Sequence, residues 1–82
     1  MSIQQEIETQ IKNMQENLKL LRQENNWTIE ELSKISKIDV KTLMKMEHSE
    51  DFDVEHLFTL CHIYGVEVRK MFLPADDLDV PV

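Results

Sequence analysis

Apolar residues at Ile3, Ile7, Ile11, Met14, Leu18 and Leu21 recur in steps of three and four, which draws one stripe along a single long helix. Ser2 and Gln5 open it as a capping box, and Asn25-Asn26 ends it, because Asn tolerates the left-handed cap. Trp27-Thr28-Ile29-Glu30-Glu31-Leu32 begins a second helix. Thr28 is its N-cap, Glu31 closes a capping box, and Trp27 is set to staple onto Leu32; the helix runs to about Ser36. Asp39 caps a third helix from Val40 to about Glu47, with Leu43 and Met46 facing inward. A polar loop at 48–52 leads to Asp53, the cap of a fourth helix whose apolar side is Val54, Leu57, Phe58, Cys61 and Tyr64. Gly65 ends that helix. A short fifth helix is predicted at 67–72, anchored by Val68, Met71 and Phe72 and stopped by Leu73-Pro74. Residues 75–82 read as an acidic, flexible tail short of anchors.

The connection at Lys37-Ile38-Asp39 is too short for independent helices and forces the third to cross the second steeply, which is helix-turn-helix geometry. With one Gly, two Pro and few alternating apolar runs, the composition is that of an all-α chain. Its 82 residues allow one small domain with a modest core. We therefore expect a single domain over 1–74, with an N-terminal helix extension at 2–10 and the motif at 28–47. A lone Cys61 excludes an intramolecular disulfide, no apolar run reaches membrane-spanning length, and the acidic, Gln-rich start is unlike a targeting segment. A soluble cytoplasmic protein is expected.

Net charge is −7, which opposes generic affinity for nucleic acid. Distribution changes that picture, since exposed charges farther apart than about 8 Å are screened at physiological salt. Lys34, Lys37, Lys41 and Lys45 gather in the central segment, where Asp39 is the one acid between Leu32 and Met46. The acids Glu50, Asp51, Asp53, Glu55, Asp76, Asp77 and Asp79 lie outside it. The lysines are either an ordinary solvated face balancing Glu30 and Glu31 or the basic face of a DNA reader.

The residues Leu18-Lys19-x-Leu21-Arg22, Trp27-Thr28-x-Glu30-Glu31-Leu32-Ser33, Ile38-Asp39-x-x-Thr42-Leu43-x-x-Met46-Glu47 and Leu57-x-x-Leu60-x-x-x-Tyr64-Gly65-Val66-x-Val68-x-x-Met71-Phe72 resemble the phage-repressor and Cro-like (XRE-like) helix-turn-helix family. The resemblance spans about 11–72 and implies a five-helix, lambda-repressor-like domain, here with an extended first helix. It implies that Ser33 lets the motif helices approach, and that Arg22 and Glu47 form a partly buried structural ion pair tying the first helix to the third. Base-contacting positions fall on Val40, Lys41, Met44 and Lys45, and phosphate-contacting ones on Thr28, Lys37 and His48. In that mode the third helix lies in the major groove, where lysine donates to guanine O6/N7 and an apolar side chain touches the thymine methyl. The sequence departs from the pattern in three places. Ile29 stands where Gln often contacts the backbone, Lys37 stands where Gly usually takes the turn, and Glu50 and Asp51 replace the usual Asn-Gly and basic residues.

Ile3, Ile7 and Ile11 extend the stripe beyond the family core. They are expected to pair with a second copy, because an exposed apolar stripe is unfavourable in water; the alternative is that they wrap back onto their own domain. A dimer would read two half-sites roughly 34 Å apart. His56, Cys61 and His62 do not share one helical face, so no metal site is expected, and Cys61 reads as a small buried hydrophobe. Phe52, Phe58, Tyr64 and Phe72 read as core. No triad, Gly-rich loop or paired carboxylates give an enzymatic constellation, and no cofactor or small-molecule substrate is implied. The expected partner is a double-stranded DNA operator, and the expected function is that of a sequence-specific, repressor-like transcriptional regulator acting as a homodimer. The alternative is an acidic protein-interaction module, antitoxin- or antirepressor-like, that keeps the fold without binding DNA strongly.

Overall fold

A computed structural model describes residues 2–49 and 52–78. It contains α1 (Ile3–Glu24), α2 (Ile29–Ser36), α3 (Val40–His48), α4 (Val54–Tyr64), α5 (Val68–Met71) and a 3-10 turn at Ala75–Asp77, with no strand among the described residues. The starts of α1 to α4 are each set by a local cap of the expected kind. Ser2 and Gln5 exchange hydrogen bonds at α1, and Thr28 and Glu31 do so at α2. Asp39 accepts from the Thr42 amide at α3, and Asp53 from the Glu55 amide at α4. These side chains satisfy amides that a helix cannot pair internally. The ends are equally local: Asn26, Lys37 and Gly65 take left-handed backbone at φ 58°, 62° and 70°.

The 22-residue α1 is about 33 Å long and has two unlike halves. Met14, Leu18 and Leu21 are fully buried and meet Leu32, Leu43, Met46, Leu57, Leu60 and Met71 in one core. Ile3 and Ile7 are 76% and 50% exposed. Ile11 packs partly against this chain's own core, so of the isoleucines expected at a dimer contact it is already engaged within the monomer.

A polar residue holds the far end of the core together. Asn17 is fully buried on α1, and its side-chain amide donates to the carbonyls of Met71 and Leu73 at 2.8 and 2.7 Å. Asn13, one turn earlier, donates to the Phe72 carbonyl at 3.2 Å. Two side chains of α1 thereby collect three successive carbonyls where α5 ends, groups a terminating helix leaves unpaired. Among the described residues Asn17 Oδ1 has no hydrogen-bond partner.

Two expectations are corrected, and one contact is added to them. On α4 the inward face is Leu57, Leu60, Cys61 and Tyr64, while Val54 and Phe58 are 54% and 52% exposed. The helix is thus rotated from the expected apolar side, and Phe58 is not core. Trp27 packs against the core and stacks on Tyr64 with ring centroids 5.9 Å apart. The tail is not short of anchors either, because the turn at Ala75–Asp77 brings Leu78 into the core at 7% exposure and packs against α1. Packing therefore continues past Pro74 to Leu78; residues 79–82 lie outside the described ones.

Candidate nucleic-acid interface

α2 and α3 are joined through Lys37-Ile38-Asp39, and the turn is stitched from both sides. The Lys37 amide donates to the Ser33 carbonyl at 2.8 Å, and the Ser33 hydroxyl donates to the Ile38 carbonyl at 2.6 Å. The Ile38 amide donates to Ser36 Oγ at 3.2 Å. Ile38 itself is buried, which pins the turn to the core. Lys37 sits in the left-handed region without the freedom of glycine, at a cost of ~1–2 kcal/mol.

That turn fixes how α3 is rotated. Its inward side is Leu43 and Met46, each 1% exposed, together with Glu47. The Glu47 carboxylate receives a bidentate pair from Arg22 of α1, Nε to Oε2 at 2.8 Å and Nη2 to Oε1 at 3.1 Å. Arg22 also donates to the Trp27 carbonyl at 3.0 Å. The Glu47 side chain is 4% exposed and that of Arg22 16%. The hydrogen bond to Glu47 raises the pKa of the guanidinium further, although burial works against it. Burial, reinforced by the Glu47 charge, pushes the nearby Tyr64 phenol far above its ordinary range. The cluster Arg22, Trp27, Glu47 and Tyr64 thus locks α1, the entry to α2, α3 and α4 in one arrangement. From α1, Gln15 donates to the Ser49 carbonyl and holds the C-terminal end of α3.

With the inner side fixed, Lys41, Met44, Lys45 and His48 point outward and are exposed, and Val40 is half-buried beside them. Together with Ser49 they line a shallow, open depression along the helix, walled largely by carbon. The four positions named as base-contacting, and His48, thus lie on one continuous surface. Among the described residues neither Lys41 nor Lys45 forms an ion pair. Glu50 and Asp51, the acids whose placement bears on the charge of this surface, lie outside the described residues. Thr42 is spoken for, since its hydroxyl donates to Asp39 Oδ1 at 2.7 Å. Those bonds from Thr42, hydroxyl first and amide second, hold the Asp39 carboxyl below its usual range.

Thr28 and Lys37 are exposed at the two ends of α2. Thr28 Oγ accepts from the Glu31 amide at 3.1 Å, while the Thr28 amide is taken by Glu31 Oε1 at 3.2 Å. An anion at this helix start would compete with the Glu31 carboxylate for the Thr28 amide, while the Thr28 hydroxyl keeps its proton to donate. Ile29 packs against the core and offers no polar group there. Ile3 and Ile7 belong to the α1 extension and are not part of the α3 surface. Gln15 and Asn17, which hold the ends of α3 and α5, carried no sequence signal, because an amide is equally at home on a solvated helix face.

Among the described residues no group of His, Cys, Asp and Glu clusters as metal ligands, and no helix is long and apolar enough to cross a membrane. Cys61 is buried, which raises its thiol pKa and leaves it unreactive. No curated protein and no solved structure gives a significant match to the chain. A family model does: the helix-turn-helix model matches residues 18–71, more than half of the chain, from the buried end of α1 through α5. With two helices crossing at a stitched turn and the second set outward over a core built from the flanking helices, the chain belongs to the XRE/Cro-like helix-turn-helix family of DNA-binding, typically non-enzymatic domains.

Proposed function

We propose that this chain is a sequence-specific DNA-binding transcriptional regulator that acts by occupying an operator, as repressors do. The observation that carries the reading is the outward face of α3, where Lys41 and Lys45 stand exposed beside Val40 and Met44. α3 enters the major groove, with Val40, Lys41, Met44 and Lys45 at base edges. Thr28, Lys37 and His48 meet phosphates, which set register without reading sequence. Two copies join through Ile3 and Ile7, the exposed part of the α1 stripe. The few cations on this face and the overall net charge of −7 give a shallow salt dependence compared with strongly basic readers.

Selection of bound duplexes from a random pool tests the reading, followed by gel shifts on the enriched sequence. Lys41→Ala and Lys45→Ala each weaken binding about fivefold or more while helicity is unchanged; variants that bind like the parent refute the docking mode. Ultracentrifugation of an Ile3→Glu, Ile7→Glu chain tests the pairing separately, and an unchanged mass rejects it. A second reading is favoured by the carbon-rich walls of the α3 depression, which would also suit an apolar side chain of a protein partner. A pool that enriches no duplex even in dilute buffer selects that reading.

A further inference from the structure

The chemistry of the outward face of α3 specifies which base features it takes, given that α3 is the groove-entering helix as proposed above. Each base shows its own pattern in the major groove. Adenine calls for a side chain that accepts and donates together, as Asn and Gln do, and the cytosine amine calls for an acceptor, as Asp and Glu do. Val40, Lys41, Met44 and Lys45, the residues placed at base edges, supply neither. α3 contains no Asn, Gln or Asp, its one carboxylate, Glu47, is turned inward and held by Arg22, and His48, the exposed side chain that could do both, lies in the last turn at a phosphate-contacting position. Thr42, the hydroxyl on this helix, is half-buried and gives its proton to Asp39, so it has no donor left for a base.

What the face does present falls into two adjacent rows. Val40 and Met44 lie one turn apart and form an apolar row, with Met44 49% exposed. Lys41 and Lys45 lie one turn apart and form a cationic row along its flank. Four helical residues rise about 6 Å, and successive bases on one strand are about 3.4 Å apart, so each row spans roughly two base steps. The cationic row suits guanine O6 and N7. The apolar row suits the C5 methyl of thymine, the one apolar group the major groove displays. The lysines also complement the negative potential of the groove, so an apolar row beside them is drawn to DNA before it is drawn to a neutral surface.

We propose that Val40 and Met44 are specificity determinants that read thymine methyl groups, and that the half-site combines these thymines with guanines read by Lys41 and Lys45. Adenine and cytosine are then specified only as the pairing partners of the bases read.

The test uses the intact chain and the duplex enriched from a random pool. Each thymine that selection fixes is replaced in turn by deoxyuridine, which deletes the methyl and keeps every hydrogen-bonding group. Loss of one buried methyl contact weakens binding about fourfold, and two contacted thymines about fifteenfold. The same substitution leaves Val40→Ala, Met44→Ala chains unaffected, because their methyl contact is already gone. Met44→Gln, on an exposed side chain, moves the preference at its position from thymine to adenine. Uracil duplexes that bind the parent chain as tightly as thymine duplexes overturn the proposal and leave the DNA-binding reading standing. A pool without enrichment overturns both.

Discussion

The two sides of α3 differ in what holds them. The inner side is over-determined: Leu43 and Met46 fill the core, Glu47 is clamped by Arg22 at two nitrogens, and Gln15 fastens the end of the helix. Among the described residues the outer side is held by nothing but its backbone, since Lys41, Met44, Lys45 and His48 extend into solvent from a helix whose rotation is decided elsewhere. A rigid inner side makes a usable outer one. Groove reading of the kind proposed requires side chains to arrive at base edges from a fixed axis, and here the axis is fixed by buried groups on the opposite side of the helix. Changes to the two sides should accordingly separate into effects on stability and effects on binding.

The largest expected effect is on the inner side. Glu47→Ala leaves the Arg22 guanidinium without its carboxylate in a mostly buried position, which lowers unfolding free energy by about 3–5 kcal/mol in urea titrations. Replacing both partners, as Arg22→Met with Glu47→Leu, recovers much of that loss, because no charge is left stranded. A Glu47→Ala chain as stable as the parent would mean that the pair does not fix α3. The outer side gives the complementary result. Lys41→Ala and Lys45→Ala each lose about 1–3 kcal/mol of operator affinity and change stability by less than about 0.5 kcal/mol.

These two sides were not equally legible in the sequence. Whatever depends on near neighbours was readable: the capping boxes at Ser2 and Thr28, the Asp39 and Asp53 caps, the left-handed Gly65 and the inward Leu43 and Met46 all lie within one or two turns of the residues that determine them. Asn17 was not readable, because the carbonyls it satisfies lie 54 and 56 positions away and an amide gives no periodic signal. α4 misled for a related reason. Val54, Leu57, Phe58, Cys61 and Tyr64 make an apolar band wider than the surface available to cover it, and tertiary packing buried Leu60 in place of Phe58. Leu78 gives no signal in the sequence because a single apolar residue in an acidic stretch becomes an anchor only once the Ala75–Asp77 turn aims it inward. The candidate site was legible as positions, through the motif, while its separation into an apolar and a cationic row depended on knowing that Glu47 and Thr42 are engaged.

Lys37 belongs to both sides of the comparison. Its backbone carries left-handed strain at φ 62°, and its side chain is an exposed cation at the motif turn. Lys37→Gly removes the strain and the charge together. Stability rises by about 1 kcal/mol or less, since relief of the ~1–2 kcal/mol strain is partly offset by the greater unfolded-state entropy of glycine. Operator affinity falls by a smaller factor than for Lys41→Ala and equally for all sequences, as loss of a phosphate contact requires. A Lys37→Gly chain that is less stable than the parent would show that the side chain, and not the backbone, is what the turn uses.

The smallest effect concerns the start of α3. The Thr42 hydroxyl and amide hold the Asp39 carboxyl below its usual range. Asp39 therefore binds its proton less readily in the folded chain than in the unfolded one. Its contribution is complete above the unfolded pKa, near 4, and is lost as pH falls through the lower folded value. Asp39→Asn keeps an N-cap of similar quality and cannot titrate. The parent should thus hold a constant small advantage in Tm over Asp39→Asn from pH 7 down to about pH 4, and that advantage should shrink as the pH drops further. An advantage that instead grows below pH 4 would reverse the sign of the linkage, and would mean that the carboxylate at the head of α3 is tolerated rather than favoured.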